Sequence, residues 1–98
     1  MTTEELRDLF EKHDDEFLKF DRIESPRHRR PDVCAFIMLD EVSGPSSHDM
    51  VSAAEHDEIW LDVNVEDFAE RASEDVVRDL IRCGVRYDRS TDSFAMFV

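Results

Sequence analysis

Residues 79–98, DLIRCGVRYDRSTDSFAMFV, change period in mid-stretch. Leu80 and Ile81 continue a stripe begun by Val76 and Val77 at helical spacing, behind Ser73 as N-cap, so residues 74–83 read as a helix. Gly84 stands where a left-handed helix stop is needed, followed by an apolar Val85 as that motif prefers. Beyond it the period is two: Val85 and Tyr87 face Phe94, Met96 and Val98 across a turn at RSTD, which predicts a hairpin over 85–98. A helix feeding directly into antiparallel strands makes the fold class α+β.

Working backwards, EIWLDV at 58–63 alternates, with Ile59, Leu61 and Val63 on one face and Glu58, Trp60 and Asp62 on the other, the pattern of a half-buried strand. Asn64 caps a helix over 65–72, and Ser47 is expected to cap a short helix running through His56. The apolar run at 33–39 suits either a buried strand or a helix; Ala, Met and Leu, Pro31 in a first turn and Gly44 as a stop select a helix from 31 to about 42. Thr2 and Glu5 form a capping box for a helix over 2–24, whose apolar face carries Leu6, Leu9, Phe10, His13, Phe17 and Phe20 until Ser25-Pro26 ends it. The expected architecture is one domain, 1–98, with four to five helices packed on a small, mostly antiparallel three-stranded sheet formed by strand 58–63 and the 85–98 hairpin.

The net charge of −13 is unevenly spread. Residues 1–30 hold nine acids and seven bases and residues 71–98 five of each, whereas residues 31–70 hold eleven acids and no Lys or Arg. Such a segment disfavours direct contact with nucleic acid or anionic lipid. No run of eighteen apolar residues is present, and the acidic amphipathic start MTTEELRDLF is unlike a targeting peptide, so a cytoplasmic protein is expected. Cys34 and Cys83 lack metal-ligand spacing and read as packed, reduced thiols.

Three histidines precede an aspartate, at His13-Asp14, His48-Asp49 and His56-Asp57, but adjacent residues point in different directions, and fourteen aspartates produce such pairs readily. A sharper metal-binding alternative joins His56, Glu58 and Asp62 on one strand face. The GPSSHD turn at 44–49 cannot adopt triad geometry, and the two glycines, both helix stops, leave no phosphate-cradling loop. Neither an enzyme nor a cofactor is therefore expected. The residues singled out instead for a basic protein partner are Glu55, Asp57, Glu58, Trp60, Asp62, Glu66 and Asp67, carboxylates around a lone indole that is core if a helix covers it and an anchor if none does. The basic connector Arg27, His28, Arg29 and Arg30 is read as pairing with the protein's own acids, within the chain or across a homodimer, which makes a homo-oligomeric assembly protein the second reading.

In size and charge the chain resembles the small acidic inhibitors of phages and mobile elements that occupy the nucleic-acid channel of restriction or CRISPR effectors. The resemblance involves no motif. It implies that carboxylates of residues 31–70 stand in for phosphates, pairing with Lys and Arg of a nucleic-acid-binding protein in a fast, salt-sensitive association.

Overall fold

The computed structural model describes residues 1–44 and 46–98. Among the described residues the fold is α+β, with four α-helices and a four-stranded antiparallel sheet of strands β1 (Val51–Glu55), β2 (Glu58–Leu61), β3 (Arg86–Asp88) and β4 (Ser93–Phe97) in the order β1-β2-β4-β3. No helix among the described residues is long and apolar enough to cross a membrane.

Helix α1 (Thr3–Lys12) opens with the expected capping box: Thr2 Oγ1 accepts from the Glu5 N–H at 3.1 Å, and Glu5 Oε1 accepts from the Thr2 N–H at 2.9 Å. The helix ends at His13, not at residue 24. Two 3-10 turns follow, Asp14–Glu16 and Phe20–Arg22, separated by Leu18 in the left-handed region at φ 64°. Phe17, Phe20 and Ile23 recur every third residue, which fits the three-residue turn as well as an α-helical face. The segment bends because Leu18 N–H donates to Ile81 O and because Glu16, clasped by Arg22 within the segment, is tied by Arg82 to the C-terminal end of α4 (Glu74–Arg82). Lys12 likewise reaches Glu74 on α4, at 2.9 Å.

Helix α2 (Pro31–Ser43) has Pro31 in its first turn and stops at Gly44 with φ 85°, and it buries Cys34, Ala35, Met38 and Leu39, so the helical reading of 33–39 holds. The helix expected over 47–56 does not form. Val51–Glu55 is instead strand β1, which reverses through His56-Asp57, with His56 at φ 55°, and pairs antiparallel with β2 (Glu58–Leu61). This fourth strand corrects the three-stranded expectation, and β2 stops two residues short of Val63. Pairing with a neighbour overrides the helical leaning of Ala53 and Ala54.

From β2 the chain enters α3 (Val65–Arg71), capped by Asn64, then α4 (Glu74–Arg82), capped by Ser73. Gly84, at φ 101°, turns it into the hairpin of β3 (Arg86–Asp88) and β4 (Ser93–Phe97), with Tyr87 opposite Phe94. β4 lies in the interior of the sheet between β2 and β3. All four helices feed one apolar cluster, Leu6 and Phe10 from α1, Leu39 from α2, Phe68 from α3 and Leu80 from α4, and the sheet adds Leu61, Phe94 and Met96. Phe68 meets Phe94 edge-on, with ring centroids 5.0 Å apart. The helices therefore form a single layer on one side of the sheet.

Candidate functional site

Strand alternation turns Glu58, Trp60, Arg86, Asp88, Ala95 and Phe97 to the side of the sheet opposite the helices. Trp60 lies between Ala53 on β1 and Ala95 on β4. Ala95 is fully buried yet stands outside the helix-covered core; its lateral neighbours Trp60 and Arg86 shield its methyl group. Trp60 itself is half-buried, and its Nε1–H donates to Asp88 Oδ2 at 2.8 Å. Asp88 Oδ1 accepts from the Ser90 N–H at 3.0 Å and from the Ser90 hydroxyl at 2.7 Å. The indole bond, followed by those from Ser90, holds the Asp88 carboxyl down at about 2. Arg86 pairs with Glu58 and lies over the Phe97 ring, 4.1 Å from its centroid, while Phe97 remains 60% exposed. The bare face thus carries an aromatic and ion-pair lattice assembled from β2 and the C-terminal hairpin.

The seven residues singled out from the sequence fall into three places. Glu58 and Trp60 are on the bare face, Glu58 neutralised by Arg86. Glu55 and Asp57 are exposed around the β1–β2 turn, where Glu55 lies 3.6 Å from the exposed His56. Asp62, Glu66 and Asp67 lie past the other end of β2: Asp62 pairs with His48 at 3.1 Å, and Glu66 and Asp67 sit exposed in the first turn of α3. The seven residues therefore do not form one row along a strand. His56, Glu58 and Asp62 do not converge either, and among the described residues no three His, Cys, Asp or Glu side chains are placed to hold one metal ion.

The basic side chains are mostly engaged by acids outside residues 31–70. Arg7 meets Asp92, Arg22 and Arg82 hold Glu16, Arg78 meets Asp75 and Arg89 meets Glu11. Only two such pairs among the described residues reach into the acidic segment, Arg27–Glu41 at 3.1 Å and Arg86–Glu58. The first confirms the within-chain option for the connector at Arg27. Glu55, Asp57, Glu66 and Asp67 are left facing water.

Elsewhere, His13 is half-buried at the end of α1 with Nε2 2.7 Å from Glu74 Oε2, in keeping with a hydrogen-bonded structural histidine. Cys34 and Cys83 are free and buried, and burial followed by the nearby Cys34 raises the Cys83 thiol far above its ordinary value. A groove of about 400 Å³ runs between α1 and β3, with Phe10, Phe17, Val85 and Tyr87 among its lining; none of the seven residues borders it.

Sequence reasoning missed Asp88, Arg86, Ala95 and Phe97. Their signal was present in the alternation of VRYD and SFAMFV, where these four fall opposite the residues assigned to the core. Val98, assigned to that core face, is instead 75% exposed at the strand end, its N–H donating to Asp57 O at 2.8 Å.

The fold and surface define a small acidic α+β domain with helices on one sheet face, a bare, aromatic-bearing second face, and exposed carboxylates at the β1–β2 turn and the start of α3. No protein-family model matches the chain, and no curated protein and no solved structure matches it.

Proposed function

We propose that this protein is a non-enzymatic binding module whose acidic segment, residues 31–70, docks on a basic protein surface, as an inhibitor occupying the groove of a nucleic-acid-binding protein would. The observation that supports the reading is the partition of ion pairs: most bases are engaged by acids outside residues 31–70, while Glu55, Asp57, Glu66 and Asp67 meet no Lys or Arg among the described residues. Carboxylates fully hydrated in the free protein become favourable on meeting fixed cations, and their field speeds encounter. Trp60 supplies the aromatic centre of the bare face, though its indole N–H is already bound.

Glu58 and Asp62 are poor places to probe this, because each already has a partner within the chain. The test is capture of partners from a nuclease-treated lysate by the tagged protein and by a Glu55→Lys, Asp57→Lys variant, with elution by stepped salt and by duplex DNA. The reading expects nucleic-acid-binding proteins that leave at moderate salt, are displaced by duplex, and bind the variant about tenfold or more weakly. Capture indifferent to salt, duplex and charge reversal would overturn it. Recovery of the protein alone, with a dimer dissociating when Arg29 and Arg30 become Glu, would transfer the case to the assembly reading.

A further inference from the structure

The sheet has two edge strands, β1 and β3. β3 is three residues long and half-buried, and α1 packs on its helix-side face through the Phe10–Tyr87 ring contact. β1 is longer and barer: its five residues are all exposed, and among the described residues it pairs only with β2 and none of its backbone groups bonds elsewhere. In an antiparallel ladder every second residue turns its N–H and C=O away from the partner strand, so β1 presents a template for one more strand. Protein sheets commonly guard such edges with Lys, Pro or bulges. β1 has one register shift, between Val51 and Ala53, and otherwise only charge of a single sign around it, from Asp49, Glu55 and Asp57.

That charge selects the occupant. Two copies pairing β1 to β1 would bring two segments lacking any Lys or Arg together, on chains that each carry −13. Arg86, the base on β3, is already held by Glu58. An extended segment bearing Lys or Arg meets neither obstacle. We infer that β1 accepts such a segment by strand addition, its basic side chains pairing with Glu55, Asp57 and Asp49. Ser52, Ala53 and Ala54 are small enough to leave room for long side chains on the added strand. A cation opposite Ala53 would extend toward the Trp60 indole, about 9.6 Å from the new strand across two strand spacings. This deepens the function proposed above and rests on it, naming the docking mode and the chemical class of partner.

The probe is a synthetic peptide of alternating Lys and Thr, compared with the same peptide N-methylated at every second backbone nitrogen, each titrated into isotope-labelled protein at low salt. Strand addition predicts NMR shifts and slowed amide exchange concentrated at Val51–Glu55, a change in Trp60 emission, and about tenfold or greater weakening on N-methylation, which removes hydrogen bonds without changing charge. Equal affinity for the two peptides, or protection centred on Glu66 and Asp67, would overturn strand addition while leaving an acidic docking surface standing. No binding of either peptide would count against both. Concentration-dependent protection of β1 without peptide would replace the basic segment with a second copy as the occupant.

Discussion

The indole N–H of Trp60 and the carboxylate of Asp88, 28 residues apart in the chain and 2.8 Å apart in space, join β2 to β3 across the intervening β4. One carboxylate therefore orients the only tryptophan and, through Ser90, the turn of the C-terminal hairpin. The bare face is held in shape by polar and ionic bonds where the helix-covered face is held by apolar packing.

The lone tryptophan reports this bond directly. The Asp88 carboxyl is depressed to about 2, so its stabilising contribution is fully present above the ordinary Asp value of about 3.9 and is lost as pH falls through about 2. Trp60 emission should be flat from neutral pH to about 4 and change below it. Asp88→Ala should shift the emission already at pH 7 and lower stability by about 1–2 kcal/mol, the usual worth of a hydrogen bond to a charged group with allowance for partial exposure. A flat emission profile down to pH 2 in the folded protein would contradict the pairing.

Gly84 and Leu18 meet across the join between α4 and the 3-10 segment. A Cβ on Gly84 would fall 2.9 Å from Leu18 Cδ2, and Gly84 itself is at φ 101°. The Leu18 methyl can swing aside, since the residue is 64% exposed, but the backbone cannot leave the left-handed region without losing the helix stop. Gly84→Ala should thus lower stability by about 1–2 kcal/mol. Adding Leu18→Ala should recover little of it. Near-complete rescue in the double variant, read from denaturant midpoints, would assign the cost to the contact instead of the backbone.

The helix boundaries legible in the sequence are those written locally. Pro31, Gly44, Asn64, Ser73 and Gly84 each satisfy or terminate backbone groups within a few residues, and the structure places each where its chemistry requires. The failures are non-local. Phe17, Phe20 and Ile23 have a spacing that α and 3-10 turns share, and what breaks the helix after Lys12 is a clasp by Arg82 and a bond to Ile81, far along the chain. β1 was missed because an edge strand exposed on every residue leaves no apolar alternation in its sequence. For the candidate surface, charge segregation was visible, but the neutralisation of Glu58 by Arg86 and the binding of Trp60 by Asp88 depend on strand order.

The Glu16 clasp carries its own prediction. Glu16 accepts from Arg82 at 3.0 Å and from Arg22 at 2.7 and 3.1 Å, and these bonds, Arg82 first, hold its carboxyl below the ordinary range. Its contribution is present above the ordinary Glu pKa and is lost as pH falls through the depressed one. Glu16→Gln should lower the melting temperature at pH 7, and the gap to the parent protein should narrow on acidification. Glu16→Ala should be more damaging than Arg22→Ala, since it takes the shared acceptor from both guanidinium groups, whereas Arg22→Ala leaves Glu16 paired with Arg82, and limited proteolysis should open the chain between residues 13 and 24 first. A gap that stays constant with pH would mean that the carboxylate charge plays no part.

Phe94 and Phe97 lie on the same strand, three residues apart and so on opposite faces, which makes them a direct test of one-sided helix cover. Phe94 is fully buried, with Phe10, Phe68 and Tyr87 around its ring, and Phe94→Ala should cost about 3–5 kcal/mol, the range for deleting a packed aromatic side chain. Phe97 is 60% exposed, with Arg86 lying over its ring, so Phe97→Ala should cost no more than about 1 kcal/mol, the value of an exposed cation–π contact. Its loss should instead be felt at the interface: if the bare face meets a partner, Phe97→Ala leaves the denaturant midpoint nearly unchanged while weakening capture. Equal destabilisation by the two substitutions would mean that the second face is covered in solution, and the surface assigned to partner binding would then belong to the core of a larger assembly.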